Sequence, residues 1–227
     1  VNGATSQLIG QEEINVGYFG TGSLILIGGG KAIAPTIDIN QYGSVKGNGT
    51  LQGDVSNFGN FAPGLSAGTL NVNGDYTQSS LPAPPGELVI ELASASSFDK
   101  LLVTGTATLG GTLTVSLING FIPSVGQTYT ILTSDDVDNT FAQVNAPSGI
   151  TVAYTPTAVI LQVVNTPCPA DVDNSGEVDV DDLIAVILGW GGCANCSPPN
   201  CAADINNDCA VDVDDLIAVI LAWGACA

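Results

Sequence analysis

Gly49-Thr-Leu-Gln-Gly53, Gly68-Thr-Leu-Asn-Val72 and Gly111-Thr-Leu-Thr-Val115 repeat one phrase, a glycine followed by threonine, leucine and a strand-like run. Gly20-Thr-Gly-Ser-Leu24 is a looser copy. Polar and apolar residues that alternate at period two send successive side chains to opposite faces of a strand. The same alternation runs through residues 23–27, 87–92, 112–117 and 158–164. Turn-forming stretches punctuate it at Gly28-Gly29-Gly30, Asn48-Gly49, Asn73-Gly74, Gly110-Gly111 and Asn119-Gly120. No ten-residue helical pattern precedes Val180. The predicted fold is therefore mainly β, a sandwich, a barrel or a solenoid. Degenerate repetition favours a β-solenoid, in which each rung buries its apolar face against its neighbours; a β-sandwich is the alternative.

A second repetition lies near the other end. Asp171 to Asp182 reads DVDNSGEVDVDD, and Asp204 to Asp215, 33 residues later, reads DINNDCAVDVDD. In the first copy oxygen-bearing side chains fall at positions 1, 3, 5, 9 and 12, as Asp171, Asp173, Ser175, Asp179 and Asp182, with the Glu177 carbonyl at position 7. Calcium is a hard cation that takes six to eight oxygens, and a 12-residue loop of EF-hand type gathers donors at these positions. Gly176 at position 6 permits the sharp turn. The second copy offers Asp204, Asn206, Asp208, Asp212 and Asp215, with the Ala210 carbonyl at position 7. There Cys209 stands in place of the glycine, and a left-handed backbone at such a residue costs about 1–2 kcal/mol, which ligation or a disulfide can offset. The competing reading is an acidic turn that caps the following helix, since aspartate complements the positive end of the helix dipole. An apolar helix follows each loop, LIAVILGW from Leu183 and LIAVILAW from Leu216.

The paired loop-and-helix units, each with Asp at position 12, resemble the dockerin type I module over residues 168–227. That resemblance implies two calcium sites and a cohesin-like protein receptor. Dockerins commonly carry Ser/Thr at loop positions 10 and 11; here they are Val180-Asp181 and Val213-Asp214. The preceding block, above all residues 47–57, 62–70 and 74–78, is similar to the C-terminal end of autotransporter-type passenger domains. This likeness implies a right-handed parallel β-helix whose last rungs, from about Tyr129 to Val164, become hairpin-like. The expected domains are a solenoid over 1–165 and a small all-α, disulfide-rich calcium module over 166–227. Thr166-Pro167 is the expected hinge, and Ser197-Pro-Pro-Asn200 the linker between the two loops.

Composition narrows the function. The chain has 22 acidic residues against three lysines, Lys31, Lys46 and Lys100, with no histidine and a net charge of −19. Nucleic acid is excluded as a partner, because phosphate binding needs clustered cations. Residues 168–227 hold 11 of the acids and no lysine, so bound cations would relieve their mutual repulsion. All six cysteines, Cys168, Cys193, Cys196, Cys201, Cys209 and Cys226, lie in the same segment, which predicts disulfides and an oxidising compartment. A zinc site at Cys193 and Cys196 is the weaker reading, since the chain has no histidine and no second C-x-x-C. Antiparallel packing of the two helices would bring each helix end to the other repeat's loop, and the 33-residue repeat then predicts Cys168–Cys226, Cys193–Cys201 and Cys196–Cys209. Residues 1–10 have no basic region and no long apolar run, so we read the chain as a mature or trimmed product. No apolar run is long enough to span a membrane.

Catalysis is not expected. The inventory lacks histidine and arginine, and the lysines stand alone, which leaves no evident base with a pKa near neutrality. Glu87 and Glu91 would face one side of a strand roughly 13 Å apart, farther than paired glycosidase carboxylates stand. Asp135-Asp136-Val-Asp138 reads as a solvated acidic loop. The expected function is that of a non-enzymatic bacterial extracellular structural protein, a filament, surface-layer or adhesin component, assembling through the apolar helices or the solenoid ends. The alternatives are a docking subunit with the β-domain as cargo, and a fragment of a β-helical polysaccharide-degrading enzyme.

Overall fold

A computed structural model describes residues 1–80, 85–164, 168–173, 175–193, 202–206 and 208–225. The fold is mainly β, with two helices among the described residues. The chain divides into two compact units, Val1–Val164 and Asn165–Ala227. The expected hinge at Thr166-Pro167 and the linker 197–200 lie outside the described residues.

In the first unit the chain passes repeatedly through three ladders of parallel strand pairs. Gln7–Ile9 pairs with the start of Lys31–Ile39, which pairs with the start of Thr50–Asn57, which pairs with Thr69–Asn73. The second halves of the two long strands form another ladder with Glu13–Val16 and Tyr76–Gln78, continued by Thr106–Thr108 and Asp136–Asp138. The third ladder is a six-stranded sheet, ordered from Gly22–Leu26 through Gly43–Gly47, Asn60–Pro63, Glu87–Leu92 and Thr112–Leu117 to Gln143–Asn145. Three of the glycine phrases lead into strands beginning at Thr50, Thr69 and Thr112, and the looser copy runs into Gly22–Leu26.

Parallel register stacks like on like. Ile14, Ile37, Val55, Tyr76, Ala107 and Val137 are successive partners in the second ladder. Leu24, Val45, Phe61, Leu88, Leu113 and Val144 are successive partners in the third. The inner members of both columns are buried in one continuous core, and each methylene so removed from water contributes about 0.8 kcal/mol. Glycine lets the backbone turn between ladders: Gly53 has φ +131°, and a Cβ there would lie 1.8 Å from the Ala34 carbonyl oxygen. Only glycine takes that conformation without strain.

Two buried amides interrupt the apolar columns. Asn57 Nδ2 donates to Tyr76 Oη and to the Glu87 carbonyl, while Gln78 Nε2 donates to the carbonyls of Gly86, Gly110 and Thr112 at 2.9–3.0 Å. Every buried polar side-chain atom among the described residues has a hydrogen-bond partner, so these groups tie neighbouring strands together instead of weakening the core. Asp99, also buried, accepts from the Gly68 and Glu91 amides.

Towards its C-terminal end this unit changes character. Thr128–Thr133 pairs antiparallel with Ala158–Val163, which pairs antiparallel with Ile150–Thr155. The hairpin-like character expected from Tyr129 onward is present in these strands, although Asp136–Asp138 and Gln143–Asn145 keep parallel partners. The acidic cluster at 135–138 is thus not a plain loop: the Asp136–Asp138 segment is an edge strand with exposed carboxylates, because a parallel neighbour satisfies its backbone while its charges face water.

In the second unit, α1 (Val180–Leu188) and α2 (Val213–Leu221) share the sequence VDDLIAVIL. Short strands cross between the repeats. Glu177–Val178 pairs with Gly224–Ala225, and Gly191–Gly192 pairs with Ala210–Val211. Each loop therefore meets the segment that follows the other repeat's helix. The small core consists of Ala170, Val178, Val186 and their 33-residue equivalents Ala203, Val211 and Val219. Cys168, Cys193 and Cys209 are disulfide-bonded, which removes Cys193 as a zinc thiolate. The expected pairings involve Cys196, Cys201 and Cys226, which lie outside the described residues.

Candidate metal centre

The chemistry of the second unit begins with the buried aspartate at loop position 12. Asp182 sits at the third position of α1, fully buried. Its Oδ1 accepts from the Val172 amide at 2.6 Å and the Asp173 amide at 3.2 Å, and its Oδ2 accepts from the Asp179 amide at 2.8 Å. A buried carboxylate needs such donors, since an unpaired charge away from water is strongly disfavoured. These bonds fold the start of the loop onto the helix.

Asp171 and Asp173 complete the cluster. Asp171 accepts from the Ser175 and Gly176 amides, each at 2.9 Å, and Asp173 accepts from the Ser175 amide at 2.9 Å. Gly176 has φ +94°, the turn expected of it. One carboxylate oxygen each from Asp171, Asp173 and Asp182 lies within 4.8 Å of the others. Calcium–oxygen bonds of 2.3–2.6 Å allow two ligand oxygens to stand about 5 Å apart on one ion, so this donor set fits calcium in spacing and in hardness. Ser175 Oγ donates to the Glu177 carbonyl at 3.0 Å, which brings the expected ligands of positions 5 and 7 together.

Asp179 has a different place. It is the N-cap of α1 and its Oδ1 accepts from the Asp181 amide at 2.8 Å, with Asp182 answering as the other half of a capping box. The capping reading and the metal reading thus share residues, because Asp182 serves the helix and the cluster at once.

The second loop repeats this frame with less charge. Asp215, fully buried, accepts from the Ile205, Asn206 and Asp212 amides. Asp204 accepts from the Asp208 amide at 3.1 Å and the Cys209 amide at 3.0 Å. Asp212 caps α2 as Asp179 caps α1. Asn206 replaces the position-3 aspartate and donates from Nδ2 to Asp208 Oδ2, while Asp208 Oδ1 accepts from the Ala210 amide. Cys209 has φ +78° and is disulfide-bonded, so it takes the glycine's left-handed conformation. Among the described residues the three-carboxylate cluster belongs to the first loop alone. Asn174 and Asn207, at position 4 of each loop, lie outside the described residues.

The amide donors of Val172 and Ile205, which hold the position-12 carboxylates, have no sequence signal, because any residue supplies a backbone N–H. Outside the loops, α1 and α2 leave matching apolar side chains exposed: Ile184, Ile187, Leu188 and Trp190 in one repeat, and Ile217, Ile220, Leu221 and Trp223 in the other. No helix among the described residues is long and apolar enough to cross a membrane. No family model matches the chain, and no curated protein matches it.

Proposed function

We propose that the chain is a non-enzymatic structural protein of the bacterial cell surface or secreted fraction, a right-handed parallel β-solenoid carrying a calcium-stabilised dockerin-like module. The observation that carries the calcium part is the convergence of Asp171, Asp173 and Asp182 on one point. Two calcium ions would offset four of the 11 acidic charges in residues 168–227. Parallel pairing from one circuit to the next supports a solenoid over a sandwich, whose sheets are typically antiparallel. The disulfide-bonded Cys168, Cys193 and Cys209 support an oxidising, extracellular setting. The absence of histidine and arginine supports a structural role over catalysis.

Differential scanning calorimetry of the full chain tests the calcium reading. The expected result is a transition that moves to higher temperature as calcium is added after chelation, because an ion that binds only the folded state stabilises it by mass action. Identical scans with calcium and with chelator would overturn it.

A second reading is favoured by one observation, the exposed apolar strip repeated on α1 and α2. Surface helices usually keep a polar outward face, so a partner that covers this strip makes the module a docking element with the β-unit as cargo. Light scattering in millimolar calcium separates the two readings: the structural reading gives growth of assemblies from the purified chain alone, and the docking reading gives a monodisperse monomer.

A further inference from the structure

The exposed aromatic side chains of the β-unit are concentrated at one place. Among the described residues of Val1–Val164, the exposed large aromatics are Tyr18, Phe19 and Tyr42, at 61%, 97% and 57% of full exposure. They occupy equivalent corners of successive circuits. Val16 is in register with Ile39, and Ile39 with Asn57; the segments that follow these residues carry Tyr18-Phe19, Tyr42 and Phe58. Gln78, the next partner of Asn57, is followed by Ser79-Ser80, so the aromatic run ends there.

Beside these corners runs a column of hydrogen-bonding side chains. Asn15 is in register with Asp38, and Asp38 with Ser56. Asn40 Nδ2 donates to Asn15 Oδ1 at 3.2 Å and thereby orients both amides. The column residues Asn15 and Asp38 and the corner residues Tyr18, Phe19 and Phe58, though not Tyr42, line a cavity of about 720 Å³, whose walls also include Asn40. Volumes of about 300–1,000 Å³ are typical of small-molecule sites. Asn15, Asp38 and Ser56 stand on paired strands, which fixes their spacing, and the aromatics and Asn40 lie on the turns that directly follow those strands.

We propose that this groove binds a neutral polysaccharide. A sugar ring has an apolar C–H face and a rim of hydroxyls that both donate and accept. The aromatic faces cover the first, and the carboxylate and amide oxygens with the amide N–H groups answer the second. No lysine lines the groove, and with Glu13 and Asp38 on its wall an anionic saccharide is repelled. The site rests on the geometry of the β-unit alone and is independent of the calcium reading.

Affinity electrophoresis of the full chain through gels containing a β-1,4-glucan, a β-1,4-xylan or an α-mannan tests the proposal, with polygalacturonate as the anionic control and polylysine as a cationic probe in solution. Retardation by at least one neutral polysaccharide is expected, and none by polygalacturonate. Phe19→Ala and Asp38→Asn should each weaken the retardation by roughly tenfold in affinity. Both side chains reach solvent, so the variants should melt with the parent chain, and their melting curves are measured alongside. Absence of retardation in all three neutral gels, retardation that both variants retain, or binding of polylysine alone would each overturn the proposal.

Discussion

Asp99 is a single buried carboxylate with a consequence for pH. Burial raises its carboxyl from an ordinary 3.8 to about 7, against the pull of the Glu91 and Gly68 amides and with a further push from the Glu91 charge. Between these two values the folded chain holds a proton that the unfolded chain has released. Stability is therefore greatest at the acid end of that window and is lost as pH rises towards 7. We expect the β-unit to melt higher at pH 5 than at pH 8, by roughly 1–2 kcal/mol after allowance for solvent screening. Asp99→Asn should flatten that dependence, and thermal denaturation of both proteins across the range checks it; an equal slope in the variant would remove Asp99 as the cause. Gln78 gives a second expectation at this scale. Gln78→Leu removes a donor from the carbonyls of Gly86, Gly110 and Thr112, of which Gly86 still accepts from the Thr112 amide, and a buried acceptor left unsatisfied costs about 1–3 kcal/mol. Urea denaturation should show a loss of at least the lower figure. Neither residue was legible beforehand: Asp99 lies in an ordinary polar stretch, and nothing local marks Gln78 as inward-facing. Gly176 and Cys209 were legible, because a loop of fixed length demands a left-handed residue at its sixth position.

The loop and its helix behave as one element, joined by the position-12 aspartate. Asp182→Ala strips acceptors from three backbone amides at once and should destabilise the second unit by several kcal/mol even without calcium. Asp181→Ala, at an exposed position of the same first turn, should change stability by about 0.5 kcal/mol or less. Calcium titration calorimetry addresses the cluster itself: Asp171→Ala should weaken the first site more than Ser175→Ala, because it removes a charged ligand where the other removes a neutral one. An equal effect of the two would show that Asp171 serves the loop's hydrogen bonds and not the ion. At this scale the sequence was informative. Strands began where the glycine phrases placed them, whereas the helices, expected from Leu183 and Leu216, begin three residues earlier at Val180 and Val213, because the position-12 aspartate closes a capping box inside the first turn. The short crossing strands were not foreseen, since Gly191-Gly192 and Gly224-Ala225 carry no side-chain pattern.

For the whole molecule, the irregular spacing of paired strands along the chain explains why repetition was visible but not periodic. Thr50 pairs with Lys31, Asn71 with Thr50, and Leu102 with Asn71, steps of 19, 21 and 31 residues. Loops absorb the difference, so the strands keep register while the sequence period drifts. The turn glycines set the tolerance of this stack. Gly53→Ala places a Cβ against the Ala34 carbonyl at a backbone angle that alanine resists, and should lower the stability of the β-unit by more than about 2 kcal/mol. A melting temperature equal to that of the parent chain would mean that the corner can relax. What remained invisible was the groove beside Asn15 and Asp38, because its walls come from three strands and their following turns, which are adjacent only after folding.

The pairing of each early strand with its immediate predecessor in the ladder has a kinetic consequence. From Lys31 to Val103, each successive strand of the first ladder finds its earlier partner in the strand just before it and nowhere farther back. The loop to be closed at each step is 19 to 31 residues and not the whole chain, and the edge that receives it is already in place, so this part of the sheet can grow like a zip, one tooth after another, because closure entropy rises only slowly with loop length. Growth in that sense has an end built in. Ala158–Val163 enters antiparallel between Thr128–Thr133 and Ile150–Thr155, reversing the direction in which the next tooth would have to close.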